Sequence, residues 1–171
     1  PTWLIEDCKL VNGQMNYLPI RTTFRRSVSA FRWSAKSHNQ GYFNSGFGAA
    51  PLFEEVIFYK NGYKTDPRTD PDARRTIFDR NIYQGGGAQM GHTYRNIISG
   101  NGGSGVRISG AGSDGSLVWY NYIGTNDNGT WAVANALSGV TVTGGAQSNV
   151  IQENLVSGND QHGVFVTGSG T

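Results

Sequence analysis

Between Thr93 and Thr171 the chain writes one two-part pattern three times, and no other feature restricts its fold as much. Arg95-Asn96-Ile97-Ile98-Ser99-Gly100-Asn101 returns as Tyr120-Asn121-Tyr122-Ile123-Gly124-Thr125-Asn126 and again as Glu153-Asn154-Leu155-Val156-Ser157-Gly158-Asn159. The second part runs Gly105 to Gly110, then Gly139 to Gly144, then Gly163 to Gly168. A unit this small has no interior of its own, so the copies must stack on one another. Val140 and Val142 alternate with Thr141 and Thr143, and Val164 and Val166 with Phe165 and Thr167. A period of two makes these short strands with one buried face. The Asn anchors stand 25 and then 33 positions apart, and no helical run of ten residues fits between them. Helical repeats and doubly wound units, which need helices, are thereby poor explanations.

Stacked units place each strand about 4.8 Å above the last, in parallel register. The column Cys8, Ser27, Val56, Asn81, Asn96, Asn121, Asn154 then marks seven coils. Three positions earlier stand Ile5, Phe24, Phe53, Phe78, Thr93, Val118 and Ile151; two later stand Leu10, Ser29, Phe58, Tyr83, Ile98, Ile123 and Val156. Mostly apolar, these are the expected inward positions. Asn81 and Asn96 are only 15 residues apart, short for three strands, so the count is six if one of these anchors is misassigned. The Asn column has its own logic, because Asn tolerates turn geometry and can bond to the next Asn in a ladder. On the opposite parity, Arg107, Thr141 and Phe165 are expected to form an outward stack. An antiparallel sandwich with Asn-Gly hairpins is the lesser alternative, since hairpins do not explain a two-part repeat.

The 171 residues suffice for one domain, 1–171, with a real core. Twenty of the 25 glycines lie from Gly85 onward, which makes the C-terminal half dense in turns. Charge is unevenly placed. All 14 Lys and Arg fall in residues 1–107 against eight acids, while residues 108–171 hold four acids and no Lys or Arg. Without a recognition helix, an aromatic RNA-binding pair or a long basic run, nucleic acid is an improbable partner. Cys8 is the only cysteine, which excludes an intrachain disulfide; its neighbours Ile5 and Leu10 point to a packed thiol. No apolar run approaches the length of a membrane-spanning helix. Three insertions interrupt the coils, at about 31–51, 60–75 and 126–137, and are expected to project as loops that wall a binding face.

Asn121-Tyr122-Ile123-Gly124-Thr125 with Gly129 and Asn135, followed by Gly139-Val140 through Gly144-Gly145-Ala146, resembles repeats of large secreted bacterial β-helix proteins. Phe58-Tyr59-Lys60-Asn61-Gly62-Tyr63 and Thr76-Ile77-Phe78-Asp79-Arg80-Asn81-Ile82-Tyr83 are similar to another branch of that architecture, which often carries His where Asp79 or Arg80 stands here. The chain thus resembles the right-handed parallel β-helix repeat proteins, the pectate-lyase-like superfamily. The resemblance implies an all-β right-handed parallel β-helix, a solenoid of about six to seven coils. It also implies an extracellular or cell-surface, bacterial setting, with this chain a segment of a longer protein. The superfamily spans lyases, hydrolases, adhesins and passive scaffolds, so the likeness specifies fold more than activity.

By that resemblance, a lyase would use an Arg or Lys base beside carboxylates that hold Ca²⁺ against a uronate, and a hydrolase two or three Asp. The matching catalytic candidates are Asp79, Arg80, Arg95 and His92. Asp66, Asp70 and Asp72 are close enough in sequence to hold a hard cation such as Ca²⁺, although their loop lacks the Gly and terminal Glu of a calcium-binding loop. Arg80, Arg95 and Arg107, if stacked over successive coils, would make a basic stripe. Trp33, Tyr59, Tyr63 and Tyr83, with Arg107, are the candidate sugar-contacting residues, the aromatics alternatively folding back as a satellite core. Two neighbouring pairs, Arg25-Arg26 and Glu54-Glu55, pose a problem, because consecutive strand residues face opposite ways. The favoured reading is a non-catalytic β-helix scaffold or glycan-binding segment. The alternative is a lyase or glycoside hydrolase acting on an acidic polysaccharide. The end coils are expected to be covered by further coils, a cap or another chain.

Overall fold

The structure is a computed structural model that describes residues 3–13, 15–16, 22–33, 42–44, 51–61, 63, 65–66, 68–70, 82–85 and 92–168. Among them there is no helix, and the strands are two to four residues long. The first three are β1 (Trp3–Glu6), β2 (Lys9–Val11) and β3 (Met15–Asn16), followed by β4 (Thr22–Arg25), β5 (Val28–Ala30) and β6 (Tyr42–Asn44). The third round is β7 (Leu52–Glu54), β8 (Ile57–Tyr59) and β9 (Ile82–Gly85); the fourth is β10 (His92–Tyr94), β11 (Ile97–Ser99) and β12 (Val106–Ser109). The last two are β13 (Leu117–Trp119), β14 (Tyr122–Ile123) and β15 (Val140–Thr143), then β16 (Val150–Gln152), β17 (Leu155–Val156) and β18 (Val164–Val166).

These strands form three six-stranded sheets in which each strand pairs with those three before and three after it, the first and last rounds having one neighbour only. All the pairings are parallel. The chain therefore visits the first, second and third sheets in rotation, six times. Six, not seven, is the count because Ile82–Gly85 pairs with Val106–Ser109 in the third sheet. The short interval after position 81 is thus the step from the third sheet back to the first, not a full round.

In-register stacking places the inward residues in columns. Ile5, Phe24, Phe53, Thr93, Val118 and Ile151 align through the first sheet. Leu10, Ser29, Phe58, Ile98, Ile123 and Val156 align through the second. The expected columns hold, except that Tyr83 belongs to the third sheet, opposite Phe43 and Arg107, and position 78 is outside the described residues. Phe53 ties the interior together, with its ring 6.3 Å from Phe24, 5.4 Å from Phe58 of the second sheet and 4.8 Å from Tyr42 of the third. Edge-on rings at these spacings gain attraction beyond simple burial.

The turn from the first sheet to the second imposes a backbone cost. Asp7, Arg26, Glu55, Arg95, Tyr120 and Glu153 all sit there with φ between 45 and 55°. That left-handed conformation costs an L-residue roughly 1–2 kcal/mol. In four of the six rounds the next residue, Ser27, Asn96, Asn121 or Asn154, offsets it through a ladder to the round before, while Cys8 and Val56 only receive such a bond at their amides. Asn96 Oδ1 accepts the Val56 amide at 2.8 Å, Asn121 Oδ1 the Asn96 amide at 3.0 Å, and Asn154 Oδ1 the Asn121 amide at 2.9 Å. In the first rounds, the Ser27 hydroxyl does the same for the Cys8 amide at 3.0 Å. The Cys8 thiol itself is exposed rather than packed, and it donates to the Glu6 carbonyl.

A second ladder follows the second sheet through Asn61, Asn101, Asn135 and Asn159. Sequence similarity puts Asn126 at this rung, but the rung is Asn135, because the chain leaves the stack after Thr125 and returns nine residues later. Asn121→Ala removes the acceptor for the buried Asn96 amide and should lower unfolding free energy by about 2–4 kcal/mol. Asn126→Ala, outside the ladder, should cost less than about 1 kcal/mol. Denaturant midpoints of the two variants check the ranking, and equal effects would remove the ladder from its structural role.

Candidate functional site

Because the left-handed turn follows directly on each first-sheet strand, the last strand residue and the turn residue both face outward in the rounds where both side chains are described. This resolves the paired charges. Arg25 and Glu54 end their strands, Arg26 and Glu55 occupy the turn, and no charge of either pair is forced inward. Stacking brings opposite signs together. Arg25 Nε lies 2.8 Å from Glu6 Oε2, and Arg26 grips Asp7 through two bonds of 3.0 Å while also reaching Glu6 at 2.8 Å. The Arg26 bond holds the Asp7 carboxyl below its ordinary pKa. One round further on, Arg95 Nη1 stands 3.4 Å from Glu55 Oε1. Such exposed pairs contribute little stability each. They do determine which charge the surface presents.

Above Arg95 the column changes from ions to rings. Tyr120 takes the turn position, Trp119 precedes it and Tyr122 follows on the second sheet. The Trp119 and Tyr120 rings lie 4.9 Å apart at a 33° tilt. Here a groove of about 730 Å³ opens, walled by Glu55, Arg95, Asp127 and Glu153, with Tyr120 and Tyr122 along it and Ile97, Asn121 and Leu155 completing its floor. Tyr120 is 47% exposed and Tyr122 38%. The Trp119 indole N–H donates to Glu153 Oε2 at 2.8 Å. Hydrogen bonding from Tyr120, then from Trp119, pulls the Glu153 pKa below 4.5.

The remaining wall is the excursion after Thr125. Asn126 Oδ1 accepts the Thr130 amide at 2.9 Å and the Trp131 amide at 3.1 Å, closing a tight turn. Gly129, at φ +71°, presses this turn onto the groove: an added Cβ would lie 2.4 Å from Leu155 and 3.1 Å from Tyr122. Only glycine tolerates both that backbone and that approach. Asp127 is carried to the rim by this turn, beside the fully projecting Trp131.

Among the described residues, Arg95 is the sequence-derived candidate that lines this groove. His92 begins β10, in register with Leu52 and Leu117. Asp72, Asp79 and Arg80 lie outside the described residues. Asp66 is gripped by the Arg68 guanidinium through both carboxylate oxygens, which holds its pKa down to about 2. Asp70 accepts the Thr65 hydroxyl at 2.6 Å. Among the described residues no group of three or more His, Cys, Asp or Glu could hold a metal ion, so the described part of this loop is a self-paired turn. Arg95 and Arg107 do not share a stripe, because Arg107 lies on the third sheet between Tyr83 and Thr141. The Arg107, Thr141, Phe165 stack does form in register, although Thr141 is buried and bonded to Ser104.

Of the earlier aromatic candidates, Tyr63 is placed in the packed interior and Tyr59 is half-buried. Tyr63 is buried with its hydroxyl donated to the Gly100 carbonyl at 3.1 Å, and it bridges to Trp33 in the preceding round. Tyr59 stands edge-on to Phe31 at 5.8 Å with the Lys60 ammonium 5.4 Å from its centroid. The charged and aromatic groove residues missed by sequence reasoning are Glu55, Tyr120, Tyr122, Asp127 and Glu153, with Trp119 behind Glu153 as its hydrogen-bond donor. Their signal was present: Tyr120 occupies the turn position where Asp7, Arg26, Glu55, Arg95 and Glu153 carry charge.

A depressed carboxyl pKa stabilises the folded state above the unfolded value and ceases to do so as pH falls through the lower folded value. The Glu153 contribution should therefore be complete above pH 4.5 and vanish below it. Carboxyl carbon NMR should place the Glu153 midpoint below 4.5, with Tyr120→Phe moving it upward more than Trp119→Phe does. A midpoint at the ordinary value in the unaltered chain would mean that neither ring donates. Comparison with known proteins returns no matching family model, no matching curated protein and no matching solved structure, so the groove is interpreted from its own chemistry.

Proposed function

We propose that the three sheets close into a right-handed parallel β-helix of six coils, of the pectate-lyase-like kind, and that it serves as a non-catalytic glycan-binding scaffold. The rotation of the chain through three parallel sheets, the absence of helix among the described residues and the two Asn ladders support the fold reading. A scaffold of this type belongs outside the cell or at its surface, in a bacterium. Its end strands expose Trp3 and Leu4 on one side and Val164 and Val166 on the other. Further coils, a cap or another chain would cover those edges.

The observation that carries the binding reading is the exposed Tyr120–Tyr122 shelf beside Glu153, Asp127 and Arg95. A pyranose ring presents apolar C–H faces and equatorial hydroxyls. Flat rings bury the former, and charged groups accept or donate to the latter. Glu153 is pre-oriented by its bond from Trp119, so little entropy is lost when it engages a hydroxyl.

A lyase or hydrolase is the second reading, because one Arg and three carboxylates do share the groove. Arg95 is occupied by Glu55, however, and a lyase base must approach the carbon next to a substrate carboxylate. Three carboxylates around one guanidinium repel such a substrate.

Isothermal titration of the chain with neutral and charged oligosaccharides tests the proposal. Binding is expected to weaken about fivefold in Tyr120→Ala and again in Tyr122→Ala, near 1 kcal/mol per ring. The oligosaccharides should be recovered uncleaved after prolonged incubation. Cleavage that disappears in Arg95→Ala would transfer the case to the enzyme reading, and undiminished binding in both tyrosine variants would move the site elsewhere.

A further inference from the structure

We propose that the Tyr120–Glu153 groove prefers cationic amino sugars, hexosamine units with a free ammonium group, over neutral or carboxylated ones. This rests on the reading that the groove binds glycan, and it names the class. The lining residues carry three carboxylates, Glu55, Asp127 and Glu153, against the single guanidinium of Arg95. Arg95 is held 3.4 Å from Glu55, so its charge is spent on the wall furthest from Asp127 in the stack. Asp127 and Glu153 are left as the net charge of the upper half. Residues 108–171, which supply Asp127 and Glu153, hold four acids and no Lys or Arg, and Arg26 adds its charge at Glu55, the lower end of the groove.

The geometry favours an ammonium in particular. Glu153 already accepts from Tyr120 and from the Trp119 indole N–H, the latter at 2.8 Å, which fixes a carboxylate that has about four lone-pair sites in all. An ammonium brings three donors and no acceptor, matching a carboxylate that needs donors. The neighbouring faces are aromatic, and a cation over a Tyr ring is attracted by its electron-rich face. Tyr120 and Tyr122 are both exposed there. A uronate would meet the same carboxylates with like charge, and an N-acetylated sugar would keep the ring contacts while losing the ion pair.

Titration with four hexamers tests this: β-1,4-linked glucosamine with free amines, its N-acetylated form, a glucose hexamer and a galacturonate hexamer. In mildly acidic buffer of low ionic strength, the free-amine hexamer should bind about tenfold more tightly than the acetylated one. That ratio should shrink at about 0.3 M salt, where exposed charges are screened. Asp127→Asn with Glu153→Gln should abolish the ratio, whereas Asp160→Asn, an equally exposed acid outside the groove, should preserve it. Equal or tighter binding of the acetylated hexamer overturns the preference and leaves the glycan reading intact. Failure of all four hexamers overturns both. If oligolysine competes as strongly as the amino sugar, the groove selects cationic peptide and the sugar assignment falls.

Discussion

The structure depends on one repeated transaction at the corner between its first and second sheets. Each round turns through a left-handed residue that is not glycine, from Asp7 to Glu153. Six such residues together cost roughly 6–12 kcal/mol, comparable to the whole net stability of a domain. What offsets the cost is a polar side chain just after the turn in four of the six rounds, Ser27, Asn96, Asn121 and Asn154, each bonding the matching amide of the round before, whereas Cys8 and Val56 only receive such a bond. In the later rounds it is Asn, whose Oδ1 satisfies the amide of the round before while its Nδ2 donates to a carbonyl, as Asn121 does to Thr93 at 2.9 Å. A buried amide left without a partner would add a further penalty, so the turn and the ladder stand or fall together. The second ladder repeats the solution after the second sheet, where Gly100, Gly124 and Gly158 relieve the left-handed cost in the last three rounds while Asn12, Phe31 and Lys60 retain it in the first three.

Fixing the corner in this way makes it a reading frame for surface chemistry. Two outward positions recur where both side chains are described, and the turn keeps one backbone conformation whether Asp, Arg, Glu or Tyr fills it. The early rounds fill them with alternating signs, so that Glu6, Arg25, Asp7 and Arg26 neutralise one another. The fifth fills them with Trp119 and Tyr120, and the sixth returns an acid that those two rings hold. The change from ion pairs to rings is therefore a change of surface without a change of fold. It also moves the site away from the basic half of the chain into the acidic half.

Much of the architecture was legible in the sequence, because stacking forces like positions into columns. Ile5 to Ile151 and Leu10 to Val156 are the columns that period-two alternation marks. The count went astray at position 81, where an Asn before an apolar strand imitates the corner although Ile82 pairs with Val106 in the third sheet. Asn126 misled for a related reason: it closes its own turn, while the ladder waits for Asn135. The site was far less legible. Charged residues that suggest chemistry in sequence, such as Asp66, prove to be paired locally with Arg68, and Tyr63 is buried. Glu55, Arg95, Asp127 and Glu153 span almost a hundred positions and share a groove only through stacking. No local spacing could announce that convergence.

The excursion after Thr125 shows how such a fold can acquire a site cheaply. A loop is closed at an entropic cost that grows only with the logarithm of its length, so a few extra residues add little once both ends are held. Both ends here are held by the stack: the Gly124 amide donates to Ile98, and Asn135 rejoins the ladder at Asn101. The parallel register above and below is untouched, since Ile123 still pairs with Ile98 and Val156. The one restriction falls on Gly129, which must lie against Leu155 and Tyr122 without a side chain. The wall that carries Asp127 can thus vary in length and composition while the corner below it stays fixed. In the proposed reading, the excursion would contribute Asp127 to ligand preference, while Tyr120 and Tyr122 are held on either side of the ladder residue Asn121.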